Sequence, residues 1–294
     1  MTPVPASLSE RLAAIAQRLG LSGRAPRQVL ERASQLHLPF QALSAPPESI
    51  WWDDALPLQR LVELPRDALS GPVQDDKQAA RAALMGVVRT RRAAPAELDL
   101  RQVDGLPGSN PGLPPCARFE DYVAALPHRQ VRIIGYKDFL KAIGHALPGF
   151  PGGAPVALQR AAWRGGRLFW AGDQHTEAFA SAIAYARFRG LALSTQAERL
   201  DHELDPQALS ALDQRYHVLA MPSQAWADAG FMGLLVETGI PYARLSLLRH
   251  AGAPEWLMLP KQDADATALG AGLRLAGAAD VVAYLRGLPA PRRR

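Results

Sequence analysis

Two side chains two residues apart, His175 and Glu177, are the first candidates for chemistry. An imidazole and a carboxylate can serve as acid and base in a hydrolase or transferase. They stand in the run Gly172-Asp173-Gln174-His175-Thr176-Glu177-Ala178-Phe179-Ala180, between an apparent β-hairpin and a strongly apolar helix. A helix start offers unpaired backbone N–H groups and the positive end of the helix dipole, so it is also a place for an anion. In that second reading Gly172 permits close approach, and the backbone after Asp173, through Gln174 and Thr176, donates. His175 adds a titratable donor, and Arg164 and Arg167, with Arg160, neutralise charge from the hairpin. The enzyme reading requires both side chains to converge on one cleft, yet on a helix residues two apart point away from each other. A plain helix start explains the same residues, with Asp173 as the N-cap and Glu177 as a carboxylate favoured by the dipole.

Other chemistries lack their residues. A zinc deaminase needs a Pro-Cys-x-x-Cys pair downstream of its His-x-Glu, whereas Cys116 is the single cysteine and lies upstream. His175, His202 and His217, with Asp201, Glu203 and Asp205, offer metal-ligand types but not the His-Glu-x-x-His spacing that puts two ligands on one helical face. No metal site is expected, and His202 and Glu203 read as an exposed acidic loop. A nucleophile elbow, a phosphate loop and a dinucleotide fingerprint are all missing, so no cofactor is indicated.

The elements that must position these residues follow from periodicity and punctuation. Apolar spacing predicts one helix starting near Ser7 or Ser9 and ending at Gly20, then a second opening at Pro26 with Val29, Leu30 and Ala33 in register. Trp51 and Trp52 are expected to pack from an irregular, proline-rich segment. Asp75 or Asp76 caps a third helix, with Arg89, Arg91 and Arg92 as cations at its C-terminus. Further on, 131–136 reads as a buried strand, 137–147 as a helix, and 156–163 with 167–171 as a hairpin around Arg164-Gly165-Gly166. A helix runs from His175 to Arg189 and stops at Gly190. Asp205-Pro206 opens another, and Ser223 caps one that continues to Glu237. Strands at 217–221, 243–248 and 256–259 and two closing helices complete the chain.

From about 131 to 200, the order of strand, helix, two strands, Gly172-x-x-His175-x-x-Ala178 and alanine-rich helix resembles the box of the ParB/sulfiredoxin superfamily. That resemblance implies a turn lying on nucleotide phosphates, although those families carry an arginine where this chain has Thr176 and then acidic Glu177, whose carboxylate repels phosphate. The flanks, with Trp256-Leu257-Met258-Leu259-Pro260-Lys261 and Gly277 before a last helix, resemble a bacterial family of unknown function, which implies no assigned activity.

The expected fold class is α+β, a helical N-terminal region packed on a mixed α/β C-terminal domain. The expected division is 1–103, a Pro/Gly-rich linker or loop at 104–117, and 118–294. Of the residues, 48% are hydrophobic and 21% charged, which fits a globular chain. A lone cysteine excludes an internal disulfide and fits a reducing cytoplasm. No signal-peptide pattern or membrane-length apolar run appears, so a cytoplasmic location and no membrane partner are expected. The formal charge of +5 is compatible with anions or nucleic acid. Three functions stay open: binding of a small anionic ligand or nucleotide at 172–178, His/Glu hydrolase or transferase chemistry, and a non-enzymatic nucleic-acid or protein partner bound by a basic face. The sequence does not specify an oligomeric state.

Overall fold

The computed structural model describes residues 24–110, 112, 116–126, 131–246 and 254–288. The helix expected between Ser7 and Gly20 and the arginine tail at 292–294 lie outside these residues. In chain order the elements begin with α1 (Arg24–Ser34), β1 (Leu69–Ser70), α2 (Gln74–Met85), β2 (Val88–Asp99) and β3 (Val103–Gly105). There follow α3 (Phe119–Ala125), α4 (Tyr136–Ala146), β4 (Val156–Ala161), β5 (Leu168–Trp170), α5 (Thr176–Arg189) and β6 (Ser194–Leu204). The last are α6 (Pro206–Arg215), β7 (Tyr216–Met221), α7 (Ala229–Thr238), β8 (Ala243–Leu245), β9 (Glu255–Pro260), α8 (Ala264–Leu275), β10 (Ala279–Asp280) and α9 (Val281–Gly287). The fold is α+β. No helix among the described residues is long and apolar enough to cross a membrane.

The chain divides into two compact units, neither of them one continuous segment. The first comprises the described residues up to Leu43, then Pro65–Leu84 and Leu209–Tyr284. Its five-stranded sheet has the order β1-β8-β9-β7-β10, antiparallel throughout. Strands β7 and β9 are near-continuous apolar runs, and every residue in them is buried, as strands covered on both faces require. Helix α8 buries Leu269 and Leu273 in the same core as Val29 and Ala33 of α1. A Cβ on Gly272 would stand 2.6 Å from the Ala33 Cβ and 2.7 Å from the Leu30 carbonyl oxygen, so α1 and α8 cross this closely only over glycine.

The second unit comprises Ser44–Leu64, Met85–Ala208 and the last described residues from Leu285. Its sheet has the order β2-β6-β4-β5-β3 and is mixed. Strand β6 pairs antiparallel with β2 and parallel with β4, β4 and β5 form the expected hairpin, and β3 joins β5 in parallel. Helix α5 supplies the centre of this unit's core through Phe179, Ala182, Ile183 and Ala186. The Phe179 ring stacks on Trp170 at 4.2 Å and 12°, and full burial of such a ring contributes roughly 2–3 kcal/mol. Gly190, in the left-handed conformation, ends α5 as expected. The two ends of the long segment meet: the Asp205 N–H donates to the Val87 carbonyl at 2.9 Å, and Arg89 pairs with Asp205. The Pro/Gly-rich stretch at 104–117 runs within this unit wherever it is described.

Several expected elements change. Residues 131–135 are not a strand. Their N–H groups go to side chains instead of a ladder, Val131 to Glu177 and Ile134 and Gly135 to Asp138. Helix α2 stops at Met85, so Arg89, Arg91 and Arg92 lie on β2 and pair with Asp205, Asp201 and Glu198. The helix expected from Ser223 is two elements: a 3-10 turn over Ser223–Ala227, then α7 capped by Asp228, whose side chain accepts from the Phe231 N–H. His202 and Glu203 belong to β6 and not to a loop.

Candidate functional site: a cationic cleft at the start of α5

Strand β5 ends at Trp170, and the chain crosses five residues before α5 begins. Gly172 sets the first constraint. A Cβ there would stand 2.3 Å from the Trp170 ring, so this glycine serves packing against the indole. Asp173, Gln174 and His175 are exposed, and Gly172 and Thr176 are half-buried. The N-cap is His175 and not Asp173. Its carbonyl accepts from the Phe179 N–H at 3.0 Å.

His175 has φ 54° and ψ 40°, the sole positive φ on a non-glycine residue among the described residues. Holding a side chain in this left-handed region costs about 1–2 kcal/mol, and such strain concentrates at functional positions. The backbone turn also undoes the geometric objection raised by sequence. Because His175 precedes the helix while Glu177 lies within its first turn, both line one cleft of about 390 Å³.

Helix α4 forms the opposite wall. Phe139, Ala142, Ile143 and Ala146 face the core, which leaves Asp138, Lys141 and His145 for the cleft, together with Arg132 from the segment before the helix. The His145 and His175 rings stack at 4.0 Å and 22°. Each of the two carboxylates here holds backbone. Glu177 Oε1 accepts from the Val131 N–H at 3.1 Å, and Asp138 Oδ2 accepts from the Ile134 and Gly135 N–H groups at 3.1 and 3.2 Å. The cleft therefore presents a guanidinium, an ammonium and two imidazoles, with its acids held against the peptide chain. Such a set receives an anion with charge-assisted hydrogen bonds.

Arg164 and Arg167 are not among the residues lining this cleft. Arg164 is 5% exposed; its Nη2 donates to the Ser49 carbonyl at 3.0 Å and the Trp51 carbonyl at 2.8 Å, and its guanidinium lies 5.0 Å from the Phe169 ring centre. Burial pushes its pKa down to about 10, with Arg167 adding repulsion. Arg167 donates to the Ser49, Asp104 and Ala117 carbonyls at 2.9, 2.8 and 2.7 Å. Arg160 bonds Asp201 at 2.9 Å. Arg164 and Arg167 thus tie neighbouring backbone to the hairpin, and Arg160 ties β4 to β6.

The remaining candidates also lie apart. His202 is buried on β6, its Nδ1 2.9 Å from the Thr90 hydroxyl and its ring beside Trp52 and Trp163, and burial holds its pKa below the ordinary value. Asp201 is buried opposite Arg91, Arg160 and Arg199. His217, on β7, presses against Gly270 of α8, and neither ring nitrogen has a hydrogen-bond partner among the described residues. Burial, with Arg274 and Lys261 nearby, pushes its pKa down to about 4. Among the described residues no three His, Cys, Asp or Glu side chains gather in a metal-holding group.

Sequence reasoning missed Arg132, Lys141 and His145. The detectable signal was spacing: Asp138, Lys141 and His145 recur at intervals of three and four along one helix face. The ParB/sulfiredoxin-like order also fails at its first element, because 131–136 is not the strand it requires.

A family model described as a family of unknown function, DUF6685, matches residues 94–294. No curated protein and no solved structure matches the chain.

Proposed function

The chain belongs to this family, whose description carries no activity, and from that premise we propose that it binds a small anionic ligand bearing a phosphate or carboxylate group in the cleft between α4 and the start of α5. The observation that carries the reading is His175, held in a strained backbone conformation and stacked on His145 beside Arg132 and Lys141. Each imidazole can turn a ring N–H toward an anion. Glu177, which opposed phosphate on sequence grounds, is compatible with this role because one of its oxygens anchors the Val131 N–H.

Thermal unfolding of the wild type and the His175→Ala and Lys141→Ala variants, with inorganic phosphate, nucleotides and small carboxylates, tests the proposal. A ligand at a hundred times its Kd stabilises the native state by about 2.7 kcal/mol. The wild type should gain that shift with at least one ligand, and both variants should lose most of it. Identical responses in all three proteins would remove the site.

Convergence of His175 and Glu177 on one cleft also supports a second reading, acid–base hydrolysis or transfer. Its signature is turnover of a phosphate- or carboxylate-ester substrate that Glu177→Gln abolishes while ligand-induced stabilisation persists. A nucleic-acid role has less support, since Arg89, Arg91 and Arg92 each face a carboxylate.

A further inference from the structure

Beside the cleft, the chain leaves three large apolar side chains in solvent: Ile134 is 69% exposed, Tyr136 59% and Leu140 47%. The core stripe of α4 is complete without them, because Phe139, Ala142, Ile143 and Ala146 already fill it. At 100° per residue, Tyr136 and Leu140 share a stripe along one flank of that core face. Lys137 and Lys141 form the next stripe, and His145 follows toward the cleft. An apolar ridge, a basic stripe and an anion-receptive cleft thus succeed one another around a single helix. The sequence continues the bias: residues 128–145 contain Arg129, Arg132, Lys137 and Lys141 against Asp138 alone, and that one carboxylate is bonded to two backbone N–H groups.

We infer that this face docks on an anionic lipid surface, and that the anion taken by the cleft is a lipid headgroup phosphate. The inference rests on the anion-binding reading of the cleft. Charge decides the occupant. Basic side chains beside protruding apolar ones match a surface that is negative at the headgroups and apolar beneath them. Tyr136 has an apolar body and a polar tip, the form suited to that boundary, while the lysine stems can lie along the apolar ridge with their ammonium groups at phosphate depth. The sequence expectation of no membrane partner rested on the lack of a signal-peptide pattern and of a spanning run, and a surface-lying helix needs neither.

Flotation with phosphatidylcholine vesicles, alone and mixed with phosphatidylglycerol, tests the inference on the full chain. Three cations at the surface should favour the anionic vesicles on the order of a hundredfold. Replacing both Ile134 and Leu140 by Ser should weaken that binding about tenfold or more, while the unfolding temperature and its response to inorganic phosphate stay unchanged. Three results overturn the inference: equal binding of the wild type and the double variant, binding to polyglutamate without binding to vesicles, or a self-associated dimer that hides the ridge. Loss of vesicle binding with a retained phosphate response in the wild type defeats this inference alone. If the wild type also shows no response to any anion, the reading of the cleft falls with it.

Discussion

The cleft and the Arg164–Arg167 strap lie in the same unit, and both gather basic side chains. They differ in where the polar hydrogens go. In the strap, each guanidinium is buried or half-buried and donates to loop carbonyls. In the cleft, Lys141, His145, His175 and Arg132 are exposed, and it is the acids that are tied to backbone. A cation close in sequence to a helix start is thus a poor guide to anion binding. What decides is whether protein oxygens already take its donors.

The sharpest test of the contrast is Arg164→Ala. It leaves the Ser49 carbonyl to Arg167 alone and the Trp51 carbonyl to the 3.4 Å bond from the Asp54 N–H, and it opens an empty site against Phe169, so unfolding should lose about 2–4 kcal/mol. Denaturant titration gives the value, and the anion response of the surviving folded protein should be intact. A loss of that response at full stability would erase the distinction between strap and cleft.

His217 carries the buried side of the comparison into the other unit. Its folded pKa near 4 lies below the unfolded value of about 6.5, so its imidazole is neutral in both states above that pH. As pH falls from about 6.5 toward 4, the unfolded chain takes up the proton first. Stability should drop by roughly 3 kcal/mol across that window and no further below it from this group. Buried His202 adds to the drop in the same direction. Unfolding midpoints between pH 8 and 4 should show this slope in the wild type and a flatter one in His217→Leu; equal slopes would discharge His217 from the account.

The smallest effect on stability is expected at His175, where the effect on binding should be large. In His175→Gly, relief of the left-handed strain is offset by greater freedom of the unfolded chain, so stability should stay within about 1 kcal/mol while the anion-induced shift disappears. A variant that lost stability without losing the shift would make His175 a structural cap like the strap arginines.

Sequence reasoning read best where punctuation is local. The start at Asp205-Pro206, the stop at Gly190 and the turn at Gly165-Gly166 depend on residues whose backbone preferences hold in any context, and all three stand where expected. It failed at β2 and β6, whose polar side chains alternate without an apolar face. Strand β2 is exposed at most positions along its length and is recognisable only through its pairing with β6. It failed in the opposite sense at 131–136, where β-branched residues imply a strand but the hydrogen bonds go to Asp138 and Glu177. The cleft was half legible. His175 and Glu177 were visible, but their convergence depends on one left-handed residue, and the wall that completes the site comes from a helix thirty residues earlier.

The clasp between Val87 and Asp205 bears on the order of assembly. The segments of the first unit on either side of the long excursion are separated by more than a hundred residues of chain. Pairing of β2 with β6 brings the ends of that excursion within one hydrogen bond of each other. To a chain still searching for its first sheet, the detour then counts as a short loop, and closure entropy of about 2–3 kcal/mol has already been met. The polar ladder of β2 and β6, the least conspicuous strands in the sequence, sets the distance across which β1 must find β8.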